Sequence, residues 1–353
     1  MNELTFYSVR KPPFVIDGLL PPIDGEPFRR LPAEVAEATS KSVASLAQRT
    51  AGGRIRFSTD ASSITARILL PRIPKDLPHM PLLGAIGLDL YCIDGGKERR
   101  VATFRYKSLF DTLWESGSTL PLVGGEMRSY VLYLPNYSDV EDLMLGFPSE
   151  AALSAPIDHY RIKDPIVYYG SSITQGCAAS RPALAYPAVI SRRIGAQFIN
   201  LGFSGSARGE ESICKYIASI PNMSAFVYDY DHNTPNLEHL KATHEPFFKR
   251  IREKNPELPI VLVSAPDASV ASKRWTARRN VIMRTYLNAY DSGDENVYFV
   301  DGLTMMSDDT YSDRTVDVTH PTDLGMQRMA YAIGTVLHEV LAQKAIQAAK
   351  EGV

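Results

Sequence analysis

The chain has few cysteines, and their spacing argues against a disulfide framework. Among 353 residues, only Cys92, Cys177 and Cys214 carry a thiol. Disulfide-rich secreted folds and zinc knuckles need paired or closely spaced cysteines. Three widely separated cysteines therefore indicate reduced side chains.

The net charge is small, and the chain has no long apolar run. The 38 basic and 40 acidic residues give a formal net charge of −2, which offers no electrostatic footprint for nucleic acid or an anionic membrane. No apolar run approaches the roughly 18 residues that span a bilayer, and the first residues lack the apolar region of a signal peptide. We expect a cytoplasmic protein whose partner is a small molecule, with neither nucleic acid nor membrane as a partner.

The length and the changing pattern along the chain predict two domains. A single hydrophobic core stops growing well before 353 residues. Residues 1–160 contain short β-rich runs between Pro/Gly-containing turns, which favours an antiparallel β-sandwich; the clearest runs are 53–59, 64–70, 101–107 and 129–135. One helix is predicted over 33–48, and 145–164 reads as a connection. We place the boundary near 160, giving domains 1–160 and 161–353.

The second domain alternates strand-length and helix-length patterns. The predicted strands are 166–169, 197–201, 225–230, 259–264 and 297–300; the predicted helices are 183–194, 237–254, 271–290 and 322–349. This alternation is typical of a parallel, doubly wound sheet, whose ligands lie at the carboxyl ends of the strands. Tyr168 and Tyr169, inside the first of these strands, are expected in the core.

A hydroxyl cluster follows the first strand of this sheet. The segment GSSITQG, residues 170–176, places Ser172 where it can project towards the ligand crevice. Capping of the next helix by Ser172 or Thr174 is an equally good interpretation of these residues alone. Ser171 is the alternative nucleophile.

A matching base lies near the other end of the chain. DVTHPTDLG, residues 317–325, places Asp317 three residues before His320. This spacing allows the carboxylate to hold one ring nitrogen while the other accepts the serine proton. Alternatively, Asp317, Thr319 or Asp323 caps the following helix.

Two loops between these segments offer hydrogen-bond donors for an oxyanion. Gly205 follows the second strand and has no side chain to obstruct a substrate, and Asn233 follows the third strand. Taken alone, each is better explained as a turn residue, or for Asn233 as a helix cap.

The four segments resemble, in order, the conserved blocks of the SGNH hydrolases, also called GDSL-type esterases and lipases. The resemblance covers about 165–345 and implies a flavodoxin-like three-layer α/β/α domain. It implies Ser172 as nucleophile, Asp317 and His320 as its partners, and an oxyanion hole of the Ser172 and Gly205 backbone N–H groups with the Asn233 amide.

The front domain carries a second resemblance. GLDLY (87–91) matches the Gly-x-Asp-Leu-Tyr motif of the β-rich, jelly-roll-like domain that precedes some SGNH domains, and FRRLP (28–32) and GGRIRFSTD (52–60) are similar to its other segments. That group includes carbohydrate acetylesterases and acyltransferases. The resemblance therefore implies hydrolysis of small acyl esters, above all acetyl esters of a sugar or another small alcohol, without a metal or organic cofactor. We also expect the protein to form a homo-oligomer.

Two departures and two alternatives accompany this interpretation. Ser171 replaces the Asp of the first block, and Asp-His-Asn (231–233) replaces Gly-x-Asn-Asp, so lipase-like specificity does not carry over. Acyl transfer would use the same residues, and a catalytically weak glycan-binding protein is the alternative from another class.

Other chemically suggestive residues have simpler explanations. Three histidines and a glutamate lie close in sequence but lack the paired spacing of a helical zinc site; they are His232, His239, His244 and Glu245. Trp275 is a candidate for carbohydrate contact. Cys177 is not expected to act as a nucleophile, because the serine set already uses the available base.

Overall fold

A computed structural model of the chain describes residues 3–73, 77–108, 110–120, 125–266, 273–306 and 311–351. The front half forms two antiparallel sheets. Their strands are β1 (Leu4–Ser8), β2 (Val15–Asp17), β3 (Arg54–Thr59), β4 (Ser63–Leu69), β5 (Leu88–Asp94), β6 (Lys97–Phe104), β7 (Leu113–Thr119), β8 (Arg128–Tyr133), β9 (Asp142–Pro148) and β10 (Leu153–Ser154).

The two front sheets pack face to face as a β-sandwich. One sheet has the strand order β1-β9-β4-β7, and the other has β10-β3-β8-β5-β6, with β2 paired to β3. Strand β4 shows how the sequence builds the core, since Ile64, Ala66 and Ile68 are buried and alternate with more exposed residues. The predicted sandwich is confirmed.

The back half is a five-stranded parallel sheet. Its strands are β11 (Ile162–Gly170), β12 (Ala196–Gly202), β13 (Ala225–Asp229), β14 (Ile260–Val263) and β15 (Val297–Val300). Their order is β12-β11-β13-β14-β15, which is the 2-1-3-4-5 order of flavodoxin-like folds. The chain reverses direction across the sheet between β11 and β13, where a crevice is expected.

Helices cover both faces of this sheet. The ten helices of the described residues are α1 (Ala33–Thr39), α2 (Lys41–Leu46), α3 (Leu82–Ile86), α4 (Ser172–Gln175), α5 (Tyr186–Ile194), α6 (Glu211–Ser219), α7 (Leu237–Lys254), α8 (Lys273–Asp291), α9 (Gly302–Met305) and α10 (Asp323–Glu351). Helices α5 and α10 pack on one face, and α6, α7 and α8 on the other. Tyr168 and Tyr169 are buried against opposite faces, as expected for neighbours in a strand. None of the helices in the described ranges is long and apolar enough to cross a membrane.

Two sequence predictions need correction, and one falls partly outside the described residues. The helix predicted over 33–48 is broken at Ser40, whose extended backbone ends α1 and whose hydroxyl accepts a hydrogen bond from Val43 N in α2. The connection predicted over 145–164 contains the end of β9, the short β10 and the start of β11. These strand segments were missed because β10 has only two residues and prolines interrupt the pattern.

The predicted helix 271–290 corresponds to α8, and residues 271–272 lie outside the described ranges.

Two buried arginines of the front half donate hydrogen bonds to the backbone carbonyls at the edge strand β12. Arg30 Nη1 donates to the carbonyl oxygens of Asn200 and Gly202 at 2.7 and 2.9 Å. Arg54 Nη2 donates to the carbonyl of Phe198 at 3.2 Å. Phe198, Asn200 and Gly202 alternate along β12, so their carbonyls point away from β11. Without the two arginines these carbonyls would have no hydrogen-bond donor from the protein. The segments FRRLP and GGRIRFSTD therefore attach the sandwich to the parallel sheet.

The Asp of the GLDLY segment makes a second attachment. Asp89 is fully buried on β5 and accepts hydrogen bonds from Arg181 Nη1 at 2.8 Å and from Ala183 N at 3.3 Å. Thr103 Oγ1 donates to its other oxygen at 2.8 Å. A buried carboxylate needs such partners, so this motif fixes the chain between α4 and α5.

Candidate active site

The strand-to-helix turn after β11 holds Ser172 at the first position of α4. Ser171 is the N-cap, and its hydroxyl accepts from Ile173 N at 3.2 Å. The helix-capping interpretation of this segment therefore applies to Ser171, which leaves the hydroxyl of Ser172 free of that role. Gly170 is needed before the turn because a Cβ there would clash with Thr174 and with the Asp229 carbonyl.

Ser172, His320 and Asp317 form one hydrogen-bonded chain. Ser172 Oγ lies 2.9 Å from His320 Nε2, and His320 Nδ1 lies 2.7 Å from Asp317 Oδ2. With the Nδ1 proton on the carboxylate side, Nε2 is the acceptor for the serine hydroxyl. Ser172 is only 8% exposed, so few waters compete for its hydroxyl.

Asp317 is held by backbone as well as by the imidazole. Its Oδ1 accepts from the N–H groups of Thr319 at 3.1 Å and His320 at 2.7 Å. Partial burial alone would raise the pKa of Asp317, but the backbone and side-chain hydrogen bonds from His320 outweigh it and lower the pKa. The carboxylate is therefore ionised at neutral pH and orients the ring.

The loop that carries these two residues is a tight turn docked on the serine segment. Val316 N donates to the carbonyl of His320 at 2.9 Å, and Val318 at the tip has a left-handed backbone with φ 69°. A β-branched residue rarely adopts that conformation. Ala178 N donates to the carbonyl of Pro321 at 3.0 Å, so the two halves of the site are joined directly.

Asp323 makes the second link between these segments. Its carboxylate accepts from Ser180 N at 2.7 Å and from the Ser180 hydroxyl. The side chain of Asp323 thus anchors the start of α10 to the chain just beyond α4.

The two remaining predicted residues lie in loops at the same end of the sheet. Gly205 follows β12, is exposed and has φ 68°, and a Cβ at this position would meet no atom within 4 Å. Asn233 ends a single 3-10 turn, Asp231–Asn233, after β13. Its buried Oδ1 has no hydrogen-bond partner among the described residues. The space beside Gly205 is therefore open, and the Oδ1 of Asn233 is not used by the described parts of the loop.

Several residues around the serine were not found from sequence. Tyr137 donates from its hydroxyl to the Ser172 carbonyl at 2.9 Å. Gln175 Nε2 donates to the Asn136 carbonyl at 3.0 Å, and its Oε1 accepts from Ser204 N at 2.9 Å. Gln175 thereby ties α4 to the loop that carries Gly205 and to the front half. No local pattern distinguishes these residues, because each acts through a contact distant in sequence.

His79 of the front half was also missed. Its ring stacks on that of His320, with centroids 4.6 Å apart and planes 22° apart. Within the described ranges His79 forms no hydrogen bond. The stack covers one face of the imidazole, while Ser172 and Asp317 engage its edge.

The histidines that lie close in sequence have separate partners. His244 is fully buried and its Nδ1 lies 2.8 Å from Thr285 Oγ1, while half-buried His239 has Nε2 at 2.7 Å from the Arg208 carbonyl. Burial, with the nearby charge of His320, lowers the pKa of His232 to about 3. The His232 ring contacts Trp275, with centroids 4.7 Å apart, which places an aromatic side chain beside the Asn233 loop.

Burial disfavours a thiolate at Cys177. Together with the charge of Asp317, it raises the pKa of this thiol to about 12. A nucleophilic role for Cys177 is disfavoured for that reason.

Comparison with known families identifies both halves of the chain. Residues 163–338 match the GDSL-like lipase/acylhydrolase family, and residues 4–153 match the N-terminus of SGNH hydrolase-type esterases. No protein of curated function matches the sequence.

Solved structures share the whole two-part architecture. A protein from Bacteroides ovatus ATCC 8483 assigned as a GDSL-like lipase is 27% identical, with 96% of this chain and 98% of that chain covered at a TM-score of 0.85. The salicylyl-acyltransferase SsfX3 from a tetracycline biosynthetic pathway is 21% identical, covering 93% and 95% at 0.73. A family two carbohydrate esterase from Cellvibrio japonicus is 14% identical, covering 97% and 99% at 0.61, and these last two likenesses show the fold alone.

The family matches on both halves agree with a 2-1-3-4-5 parallel sheet attached to a β-sandwich. The chain therefore belongs to the GDSL-like, or SGNH-type, carboxylic ester hydrolases, in the group with a GxDLY N-terminal domain.

Proposed function

We propose that this protein hydrolyses small acyl esters through Ser172, His320 and Asp317. The observation that supports the proposal most is the continuous chain of contacts of 2.9 and 2.7 Å from serine to imidazole to carboxylate. A serine hydroxyl is a weak nucleophile until a base removes its proton, and the base needs an orienting group.

The reaction proceeds in two steps. Ser172 Oγ attacks the ester carbonyl as its proton moves to His320 Nε2, and Asp317 stabilises the imidazolium that forms. The tetrahedral intermediate collapses, and His320 gives the proton to the departing alcohol oxygen. Water, deprotonated by the same nitrogen, then releases the acid from the acyl-enzyme and restores the serine.

The backbone N–H groups of Ser172 and Gly205 and the amide of Asn233 are the proposed oxyanion donors. Among the described residues, neither of these two N–H groups has an acceptor. Asn233 is half-buried, and its Nδ2 group, like its Oδ1, forms no hydrogen bond with the described residues. Donors left free in this way are available for a developing negative charge.

The substrate class is proposed as an acetyl or similarly small ester of a sugar or another small alcohol. Trp275 of α8, whose ring contacts that of His232 at a tilt of 49° next to Asn233, supports this assignment. An aromatic side chain offers a flat apolar surface to a sugar ring. The same residues perform acyl transfer if a second alcohol reaches the acyl-enzyme before water.

We propose that the front half, residues 1–160, is structural and shapes the crevice. The contacts of Arg30, Arg54 and Asp89 with the parallel sheet support this role. A glycan-binding role would instead be supported if the purified protein were retarded by acetylated or plain glycan during affinity electrophoresis.

The proposal is tested by product analysis with purified protein. Acetylated xylo-oligosaccharide and 4-nitrophenyl acetate and butyrate are incubated with and without an added small alcohol. We expect free acetate from the first two substrates and slower turnover of butyrate. An acetylated product of the added alcohol would assign transfer, and absence of turnover with all three esters would contradict the proposal.

A further inference from the structure

Three potential metal ligands from different parts of the chain meet beside the serine. His79 comes from the front half, Cys177 follows α4, and His320 belongs to the loop before α10. A ligand atom of each, two ring nitrogens and one sulfur, lies within 4.8 Å of the other two. Imidazole and thiolate form the N/S donor set that Zn²⁺ prefers.

The distances are close to those of a zinc site. Zinc bonds of about 2.0–2.1 Å to nitrogen and about 2.3 Å to sulfur, at tetrahedral angles, place ligand atoms about 3.3–3.6 Å apart. The present upper limit of 4.8 Å leaves at most about 1.2–1.5 Å to close. Side-chain rotation can supply a movement of that size.

His79 is the side chain that has to turn. Its ring is nearly parallel to that of His320, at 22°, so the nitrogen lone pairs of the two rings do not converge while the rings are stacked. His79 is only half-buried and is not held by a hydrogen bond in the described parts of the chain. Rotation about its side-chain bonds therefore breaks the stacking contact and no hydrogen bond of the described residues.

We propose that His79, Cys177 and His320 form an inhibitory Zn²⁺ site. Zinc takes a ring nitrogen from each histidine and the sulfur of Cys177, with water in the fourth position. The Cys177 thiol releases its proton to solvent as the zinc–sulfur bond forms, since a coordinating thiol is deprotonated. His320 gives up one of its edge contacts, with Ser172 or with Asp317, so the occupied site has no working base.

The inhibition rests on the proposed function, but the binding does not. Zinc binding is therefore measured first on Ser172→Ala protein by equilibrium dialysis against Zn²⁺, with the bound metal quantified. We expect one zinc per chain. Co²⁺ in place of Zn²⁺ is expected to give the near-ultraviolet charge-transfer band of a thiolate ligand. Absence of both signals overturns the proposal even if the esterase activity is confirmed.

Variants then test the ligand set. His79→Phe retains a stacking ring without a ligand atom, and Cys177→Ser removes the sulfur. Each variant is expected to bind zinc at least about tenfold more weakly than the wild type. The zinc concentration that halves its activity, measured relative to the same variant without metal, should rise by a similar factor. Cys214→Ser, at another buried thiol, is the matched control and should bind zinc as the wild type does.

Two results would overturn the assignment. One is unchanged zinc binding in both His79→Phe and Cys177→Ser, which would place the metal elsewhere. The other is zinc bound at one per chain with no loss of ester hydrolysis that a chelator can restore, which would separate the metal from His320.

Discussion

Asp317→Asn tests how the imidazole is oriented. In the native loop, Asp317 Oδ2 lies 2.7 Å from His320 Nδ1, while Oδ1 accepts from two backbone N–H groups at 2.7 and 3.1 Å. An asparagine can keep its oxygen on the backbone donors. Its NH₂ group then faces Nδ1 and requires that nitrogen to be an acceptor, which moves the ring proton to Nε2.

The wrong tautomer prevents His320 from accepting the proton of Ser172. In serine hydrolases with the same arrangement, this substitution costs about 10⁴ in kcat, or about 5.4 kcal/mol of transition-state stabilisation. KM is expected to change little, because Asp317 does not face the substrate. Stability is expected to change by no more than about 1 kcal/mol, since the carboxylate is partly exposed and the backbone contacts remain.

The assay is steady-state hydrolysis of 4-nitrophenyl acetate with urea unfolding of both proteins as the control for folding. A fall in kcat of less than about tenfold in a fully folded variant would refute the reasoning. It would mean that the stack with His79 or the backbone alone orients the imidazole.

Three further substitutions test the oxyanion donor, the loop strain and the edge attachment. Asn233→Ala is expected to lower kcat about 10²–10³-fold with little change in KM, measured by steady-state kinetics; an unchanged kcat would remove its amide from the proposed oxyanion hole. Val318→Asn places a residue that tolerates the left-handed conformation at φ 69° and should raise the free energy of unfolding by about 1 kcal/mol; urea unfolding would contradict this if stability fell. Arg30→Met leaves the Asn200 and Gly202 carbonyls unpaired and should destabilise the fold by at least about 3 kcal/mol, whereas a loss below 1 kcal/mol would show that water replaces the guanidinium.

The sequence predicted the parts of the fold that depend on periodicity. The strand runs of the second domain and helix α7 follow from apolar spacing, and each was found within a few residues of its predicted position. The break between α1 and α2 at Ser40 was not predicted, because alanine-rich sequence continues across it and only the serine hydroxyl marks the new N-cap.

The sequence also predicted that the polar site residues lie at one end of the parallel sheet, because each of them follows the carboxyl end of a strand. The sequence did not show that Ser171, and not Ser172, caps the helix. Both positions are serine, and only the backbone conformation distinguishes the cap from the first helical residue. His79 could not be predicted at all. Its stack with His320 joins residues 241 positions apart across the two halves, and no local pattern encodes such a contact.

The most direct test of the account is Ser172→Ala compared with Ser171→Ala, using 4-nitrophenyl acetate turnover and intact-mass detection of an acyl adduct. Loss of both activity and adduct in Ser172→Ala, with both retained in Ser171→Ala, is the result that the account predicts. An adduct that persists in Ser172→Ala, or a wild-type protein that neither turns over the ester nor forms an adduct, would contradict it.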